Sequence, residues 1–235
     1  MRTELDNIHS RYTRREKADS GIYDPTSPAV YMSQQELGRK LAWWVDMAGM
    51  RPVSERKVLE IGCGTGGNLL QFLKMGFVST NLFGIDLLED RVLIARSRLP
   101  VQTQIVLGDA CTLDFPAGYF DVVMQATVFS SVLDDAFQKK LANRMWELTK
   151  PGGGILWYDF IMNNPRNKDV RGVPVSRIQE LFPAGAMTVR KLTLAPPISR
   201  LVTKAHPSLY TFFNFLPILR THVLCWIKKP QQERT

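Results

Sequence analysis

One stretch constrains the fold of this chain more than any other, the run KVLEIGCGTGG from Lys57 to Gly67. An apolar segment of buried-strand length gives way to closely spaced glycines, and Asn68 to Lys74 then has the apolar spacing of a helix. Glycines permit a tight turn whose backbone approaches a ligand more closely than a residue with a Cβ can. The stretch therefore predicts a strand, a glycine turn and a helix around a nucleotide-like cofactor.

The glycine spacing alone admits two kinds of cofactor. Gly62, Gly64 and Gly67 satisfy the G-x-G-x-x-G pattern of dinucleotide-binding domains, where helix N-terminal amides hold a pyrophosphate. Glu60 argues against a pyrophosphate, because a carboxylate at the strand tip repels it but accepts hydrogen bonds from a cationic ligand. We therefore expect a cationic ligand on a turn made by Gly62, Gly64 and Gly66.

Each of the next three predicted strands ends at polar residues suited to one part of such a ligand. The second strand ends at Asp86, twenty positions after Gly66, a separation at which an acidic residue binds ribose hydroxyls. The third strand is followed by Asp109 and Ala110, which suit an adenine amino group and backbone contacts. The fourth strand ends at Gln125.

Five sequence blocks resemble the class I S-adenosylmethionine-dependent methyltransferases, in that family's order. They are EIGCGTG (60–66), GIDLL (84–88), GDA (108–110), FDVVMQ (120–125) and LTKPGGGILWYDF (148–160). NNPRNKDVRG and RTHVLCWIKKP look like a bacterial subgroup associated with glycan and natural-product biosynthesis. The resemblance implies S-adenosylmethionine as the cofactor.

The same resemblance assigns the cofactor contacts. It implies that the glycine turn lines the methionine and ribose, Asp86 binds the ribose, Asp109 takes adenine N6 and Gln125 lies near the methionine end. Glu60 is expected to act mainly through neighbouring groups. The full predicted cofactor-binding set is Glu60, Gly62, Cys63, Gly64, Gly66, Asp86, Leu87, Asp109, Ala110 and Gln125.

The resemblance and the alternation of strand and helix patterns predict an α/β fold of the Rossmann-like class I methyltransferase type. We expect a mostly parallel seven-stranded sheet with an antiparallel edge strand and helices on both faces, and ligands at the carboxyl ends of its strands. A length of 235 residues suits a single domain. Residues 1–50 would form N-terminal cap or lid helices, 51–160 the cofactor-binding core, and 161–235 an acceptor-side loop, edge strands and an aromatic insertion.

Charge and cysteine content limit the partners. The net charge is +8, and residues 151–235 carry 12 basic and 4 acidic side chains, so the whole excess lies there. This excess forms either a solvated basic surface or a surface that attracts an acidic substrate or a membrane. Strand four ends in QATV and lacks the motif of DNA amino-methyltransferases, so nucleic acid is not the expected partner.

The sequence also gives expectations for metal binding and for the cellular compartment. Cys63, Cys111 and Cys225 are widely spaced and no two histidines have ligand spacing, so no metal site is expected. No apolar run approaches membrane-spanning length, and the first residues are too charged for a signal peptide. We expect a cytoplasmic protein.

The segment before the first strand commonly covers the cofactor in this class. Its tyrosines, Tyr12, Tyr23 and Tyr31, are predicted either to close the sulfonium pocket through cation–π contact or to pack at a half-buried surface. Ser33 and Glu36 form a capping-box pattern that predicts a helix beginning at Gln34.

The acceptor side is predicted after strand five. Asp159 ends that strand beside the expected methyl position and is the candidate catalytic base, although it could instead orient Arg171 or cap the loop. The polar loop 160–174 suits a hydroxylated or anionic acceptor, and it also has the composition of an ordinary solvated loop. The predicted acceptor-side and lid residues here are Tyr158, Asn163, Arg166 and Arg171. The aromatic insertion 196–217 is either an extra helix on the core, a substrate lid, or an interfacial surface facing an acyl or lipid-linked acceptor.

The leading hypothesis is methyl transfer from S-adenosylmethionine to a hydroxyl or amine of a small molecule, such as a sugar or a secondary metabolite. One alternative is cyclisation of the cofactor itself to azetidine-2-carboxylate with release of methylthioadenosine, which a closed aromatic pocket would favour. Another is a non-catalytic module that only binds the cofactor.

Overall fold

The computed structural model describes residues 3–18, 24–164 and 167–231, which form seven strands and eight α-helices. The strands are β1 (Val58–Ile61), β2 (Leu82–Asp86), β3 (Gln104–Leu107), β4 (Phe120–Ala126), β5 (Thr149–Phe160), β6 (Ala186–Leu194) and β7 (Arg220–Lys228). The helices are α1 (Glu4–Ala18), α2 (Pro28–Met47), α3 (Gly67–Lys74), α4 (Glu89–Arg98), α5 (Asp135–Leu148), α6 (Val175–Leu181), α7 (Pro196–Ala205) and α8 (Ser208–Asn214). None of the helices in these ranges has the length and apolarity needed to cross a bilayer.

The strands form one sheet in the order β3-β2-β1-β4-β5-β7-β6. β1 to β5 are parallel, and β7 runs antiparallel to both of its neighbours, β5 and β6. The predicted parallel sheet with an antiparallel edge pair is confirmed. The strand order reverses beside β1, which is where parallel sheets of this kind open a ligand crevice.

Helices cover both faces of the sheet, as predicted. Trp44 of α2, Phe72 of α3 and Val92 of α4 are buried against one face. Met145 of α5 and Ile178 of α6 are buried against the other. Because β1 lies between these two apolar layers, all of its residues are buried.

The start of α2 differs from the prediction. The helix begins at Pro28, whose fixed φ suits the first helical turn, and not at Gln34. Ser33 therefore lies inside the helix, where its hydroxyl donates to the carbonyl oxygen of Val30 at 2.8 Å. The capping-box prediction is wrong, because Glu36 turns inward and is buried.

The segment between β6 and β7 forms two helices, with α7 packed on α2 and α8 packed on β6. β6 ends and β7 begins at the paired residues Leu194 and Arg220. Because β7 is antiparallel to β5, this end of the pair lies at the edge of the sheet where β5 itself ends. The insertion therefore lies at the same edge as the glycine turn.

Candidate functional site

Two glycines with positive φ shape the turn after β1. Gly62 and Gly64 have φ values of 66° and 51°, which residues with a Cβ rarely adopt. A Cβ on Gly62 would lie 2.4 Å from Cγ2 of Val128, so this glycine allows the loop after β4 to approach the turn. A Cβ on Gly64 would meet no atom within 4 Å, and this backbone is open to a ligand.

A cavity of about 220 Å³ lies at the carboxyl ends of β1 to β4. Part of the predicted cofactor-binding set lines it: Gly62, Gly64, Asp86, Leu87, Asp109 and Ala110. The cavity thus brings the glycine turn together with the acidic residues that follow β2 and β3.

Asp86 is held in one orientation by the backbone around it. Its Oδ2 accepts a hydrogen bond from the amide of Gly64 at 2.8 Å, and its Oδ1 accepts one from the amide of Leu88 at 3.0 Å. Each carboxylate oxygen has a further lone pair, so both can still accept from ligand hydroxyls. Asp109 similarly accepts from the amide of Cys111 at 2.9 Å and lines the cavity.

Glu60 is buried in β1 and only half satisfied. Its Oε1 accepts from Nδ2 of Asn68 at 2.6 Å, while its Oε2 has no hydrogen-bond partner among the described residues. Burial raises the pKa of this carboxyl to about 8, since the charged form is desolvated. An unpaired buried oxygen beside an open glycine turn suits a cationic group on a ligand, and the residues therefore fit S-adenosylmethionine.

Helix α1 covers the cavity with Leu5, Ile8 and Tyr12. The Tyr12 hydroxyl donates to Oγ of Ser131 at 3.3 Å, and the guanidinium carbon of Arg91 lies 4.5 Å from the Tyr12 ring centroid. Tyr12 therefore lines the cavity together with Gly64 and Asp86, and its role as a lid stays a prediction.

Buried hydrogen bonds attach α1 to the loop after β4. Nη2 of Arg11 donates to the carbonyl oxygen of Ser131 at 2.9 Å and to Oε1 of Glu4 at 2.5 Å. The same Glu4 oxygen accepts from the amide of Leu133 at 3.0 Å. Because Arg11 is 7% exposed, this attachment is shielded from water.

Asp159 does not line the cavity. It is fully buried, with Oδ2 accepting from the amide of Ser130 at 3.0 Å and Oδ1 accepting from its neighbouring amide, Phe160, at 2.9 Å. Burial raises its pKa to about 7. As placed, Asp159 supports the loop after β4, and its role as a base stays a prediction.

Three members of the predicted cofactor set have packing positions behind the cavity. Gln125 is buried and its Oε1 accepts from the amide of Val128 at 3.0 Å. Cys63 packs on β2, since a Cβ on Gly84 would lie 2.8 Å from its Sγ. Gly66 allows Leu99 to approach, because a Cβ there would lie 2.8 Å from Cδ1 of that leucine.

The predicted acceptor-side residues are not gathered at the cavity. Tyr158 is largely buried and its hydroxyl hydrogen bonds with Oγ1 of Thr193 at 2.9 Å. Oδ1 of Asn163 accepts from the amide of Gly172 at 2.9 Å, and Arg171 forms an ion pair with Asp135.

Of the remaining predicted tyrosines and arginine, the structure describes only Tyr31. Tyr31 is 53% exposed on α2 and does not line it. Tyr23 and Arg166 lie outside the described residues. In the described ranges, no group of three or more histidine, cysteine or acidic side chains is placed to hold a metal ion.

Sequence reasoning missed two groups of cavity residues. The loop after β4 contributes Thr127, Val128, Ser131 and Val132, which the rule that ligands bind at strand carboxyl ends could have identified from Gln125 onward. Leu5 and Ile8 were missed because α1 is so rich in charge, although their spacing with Tyr12 is helical.

The strand order, the glycine turn and the acidic residues after β2 and β3 define the class I S-adenosylmethionine-dependent methyltransferase fold. Residues 58–153 match the family model described as a methyltransferase domain. A crystal structure of a SAM-dependent methyltransferase from Archaeoglobus fulgidus matches with a TM-score of 0.60 at 16% identity, covering 84% of this chain and 95% of that one. Residues 58–153 therefore form a methyltransferase domain with the class I fold, and S-adenosylmethionine is the cofactor of that class.

Curated relatives agree with this assignment. The chain is 31% identical over 161 residues to a fatty-acid O-methyltransferase of Mycolicibacterium smegmatis, a match covering 65% of this chain and 57% of that enzyme. It is 28% identical over 188 residues to a ubiquinone biosynthesis O-methyltransferase of Thiobacillus denitrificans, covering 78% and 76% of the two chains. The chain spans about half of the length of several of its curated relatives.

Proposed function

We propose that this protein transfers the methyl group of S-adenosylmethionine to an oxygen atom of a small molecule. The observation that carries the proposal is the cavity where the open backbone of Gly64 meets the carboxylate of Asp86, with the unpaired Oε2 of Glu60 buried behind the turn. The cofactor supplies an electrophilic methyl group on a sulfonium, so the protein mainly has to align the nucleophile.

The proposed acceptor has an apolar body. Beyond the glycine turn, apolar side chains outnumber the hydroxyl groups of Thr127 and Ser131 in the cavity lining; they come from Ile8, Val128, Val132, Phe137 and Leu141. The curated relatives whose names specify fatty acids and ubiquinone biosynthesis support the same acceptor class. A hydroxyl or carboxyl oxygen on an apolar carrier suits this lining better than a glycan does.

The chain's own residues have distinct roles in this proposal. Asp86 and Glu60 orient the cofactor, and Tyr12 closes the cavity and excludes water. Asp159 and Gln125 position the loop after β4 by accepting hydrogen bonds from its amides. A carboxylate acceptor would need no base, and a hydroxyl acceptor would release its proton to solvent as the bond from its oxygen to the methyl group forms and the bond from sulfur to that group breaks.

Incubation with S-adenosylmethionine, alone and with a long-chain fatty acid or a phenol, tests the proposal. We expect S-adenosylhomocysteine and a methylated acceptor only when an acceptor is present. Asp86→Ala should bind S-adenosylhomocysteine about tenfold or more weakly, because hydrogen bonds to a carboxylate contribute roughly 1–3 kcal/mol. Asp114→Ala, at an exposed position outside the cavity, is the matched control and should bind as the wild type does.

Two outcomes would contradict the proposal. Methylthioadenosine and azetidine-2-carboxylate formed from the cofactor alone would assign cyclisation instead. Tighter binding of NAD than of S-adenosylhomocysteine would overturn the cofactor.

A further inference from the structure

The helical insertion between β6 and β7 exposes an unusual number of large apolar side chains. Five of them form what we call the insertion surface: Leu201 (71% exposed), Phe212 (68%), Phe215 (75%), Leu216 (51%) and Ile218 (85%). Scattered exposed apolar residues are normal, but these five lie within eighteen consecutive residues, 201–218.

Helix α7 buries two hydroxyl side chains against the protein. Ser199 and Thr203 are buried, one helical turn apart, whereas Leu201 between them projects from the opposite side. An amphipathic surface helix normally buries its apolar side and exposes its polar side. The exposed side of α7 instead carries Leu201 together with the charged Arg200 and Lys204, a mixture that suits an interface with both apolar and charged groups.

The insertion is held in this orientation by a buried carboxylate. Glu36 of α2 accepts from the Tyr210 hydroxyl and from Nδ2 of Asn214, each at 2.7 Å. Both donors belong to α8, so the exposed Phe212 between them cannot turn inward without breaking these bonds. The apolar exposure is thus built into the fold.

The insertion and the strands that flank it contain basic but no acidic side chains. Residues 181–232 contain seven lysines and arginines and no aspartate or glutamate. Arg200 and Lys204 are exposed on α7 itself, and Lys191 is exposed near the end of β6. Arg220 lies beside Lys191, because its Nη1 donates to the Lys191 carbonyl oxygen at 3.3 Å.

We propose that the insertion surface docks on an anionic phospholipid bilayer. Phe212, Phe215 and Ile218 enter the boundary between headgroups and acyl chains, while Arg200 and Lys204 meet lipid phosphates. Charge complementarity selects this occupant, since a second copy of the chain would bring the same positive charge against it. The inference goes beyond the proposed methyl transfer and does not depend on it.

The insertion surface and the cofactor cavity lie at the same edge of the sheet. The insertion leaves and re-enters the sheet at Leu194 and Arg220, at the edge where the cofactor cavity opens. Docking would therefore bring that edge toward the lipid, from which an apolar acceptor could be taken without crossing water.

Vesicle co-sedimentation of the full chain tests the proposal directly. The probes are vesicles of equal parts phosphatidylcholine and phosphatidylglycerol, and vesicles of phosphatidylcholine alone. We expect the wild type to bind the anionic vesicles at least about tenfold more tightly, and less so at high salt. Phe212→Ser with Phe215→Ser, and separately Arg200→Glu with Lys204→Glu, should each weaken that binding about tenfold or more.

Matched pairs elsewhere on the surface serve as controls. Leu93→Ser with Val101→Ser changes apolar side chains that are 57% and 92% exposed, and Lys139→Glu with Lys140→Glu reverses two exposed charges. These controls should bind within about twofold of the wild type, since neither pair touches the insertion surface. Circular dichroism confirms that each variant is folded.

Three results would overturn the docking proposal. They are equal binding to both kinds of vesicle, insertion-surface variants that bind as the wild type does, and a wild-type dimer that the Phe212 and Phe215 changes convert to a monomer. The last would assign the surface to a second copy of the chain. None of them bears on cofactor binding, which titration with S-adenosylhomocysteine measures separately.

Discussion

A single substitution at Glu60 can distinguish its contribution to stability from its contribution to cofactor binding. Because Oε2 has no partner, Glu60→Gln can keep the Asn68 bond through its carbonyl oxygen and place its amide at the unpaired position. We expect the variant to fold with a melting temperature no lower than that of the wild type at pH 8. Its affinity for S-adenosylhomocysteine should fall about tenfold or more, because the variant places an amide donor where the Oε2 atom of Glu60 can accept from a ligand amine.

The pH dependence of stability provides an independent measurement on the same variant. The folded protein keeps the proton on Glu60 up to about pH 8, whereas an unfolded chain releases it near 4.5. Unfolding free energy should therefore decline as pH rises from 4.5 through 8, by up to about 1.4 kcal/mol per pH unit for one proton. Urea unfolding of Glu60→Gln should show a shallower decline, and an identical one would contradict the raised pKa.

For single site residues, the sequence predicts the position of those that end or directly follow short strands. Asp86 and Asp109 were identified because their strands end where the apolar run ends. Asp159 could not be placed in this way, because its carboxylate is taken up by the amide of Ser130, from a loop 29 residues earlier in the chain. Sequence spacing contains no signal for such a long-range hydrogen bond.

The element that controls access to the cavity is α1. Arg11→Ala would leave the carbonyl oxygen of Ser131 and the carboxylate of Glu4 without their buried donor. We expect faster amide exchange in α1 and cofactor affinity reduced by about five- to 150-fold, since such a loss costs roughly 1–3 kcal/mol. Hydrogen-exchange mass spectrometry with and without S-adenosylhomocysteine measures both effects.

The neighbouring arginine of the same helix is the control. Arg14 pairs with Asp169 at 2.6 Å, but its side chain is 61% exposed, so solvent screens the pair. Arg14→Ala should change cofactor affinity by less than about threefold. If both variants behave alike, the buried attachment of α1 is not what closes the cavity.

Element boundaries show where sequence patterns stop being informative. Apolar periodicity predicts helices over 68–74, 89–99 and 134–149, which match α3, α4 and α5 to within about two residues because their buried faces are regular. It predicts the fifth strand only over 155–158, because the glycines of 152–154 are typical of a turn, whereas they belong to β5, next to a register shift opposite β4. It also missed the first six residues of α2, 28–33, where Pro28 is the better start signal.

On the scale of the whole molecule, one buried carboxylate joins three parts of the chain. Glu36 of α2 accepts from Tyr210 and Asn214 of α8, and from the amide of Thr193 in β6 at 3.0 Å. Thr193 has a φ of 64°, a conformation that costs roughly 1–3 kcal/mol outside glycine and persists only where neighbours hold it. The sequence does not reveal this role, because Glu36 matches a capping-box pattern with Ser33. Its actual partners lie more than 150 residues away.

We expect Glu36→Gln and Tyr210→Phe each to lower the unfolding free energy by about 1–3 kcal/mol, because each leaves buried donors unpaired. Tyr210→Phe also removes the acceptor of the Leu194 amide. Because the two residues share a hydrogen bond, the double variant should lose less than the sum of the single losses. Urea unfolding measures all three variants, with exposed Glu55→Gln as the control.

Amide exchange can show whether Glu36 holds α8 and β6 in place or contributes to the stability of the whole sheet. Since none of its residues lines the cofactor cavity, affinity for S-adenosylhomocysteine should stay within about twofold of the wild type under conditions where the variants remain folded. Amide exchange should accelerate in α8 ahead of β1 to β4, because α8 loses its attachment to α2 while the parallel core keeps its packing. Additive losses in the double variant, or an equal increase in exchange across the sheet, would show that Glu36 does not hold the insertion on its own.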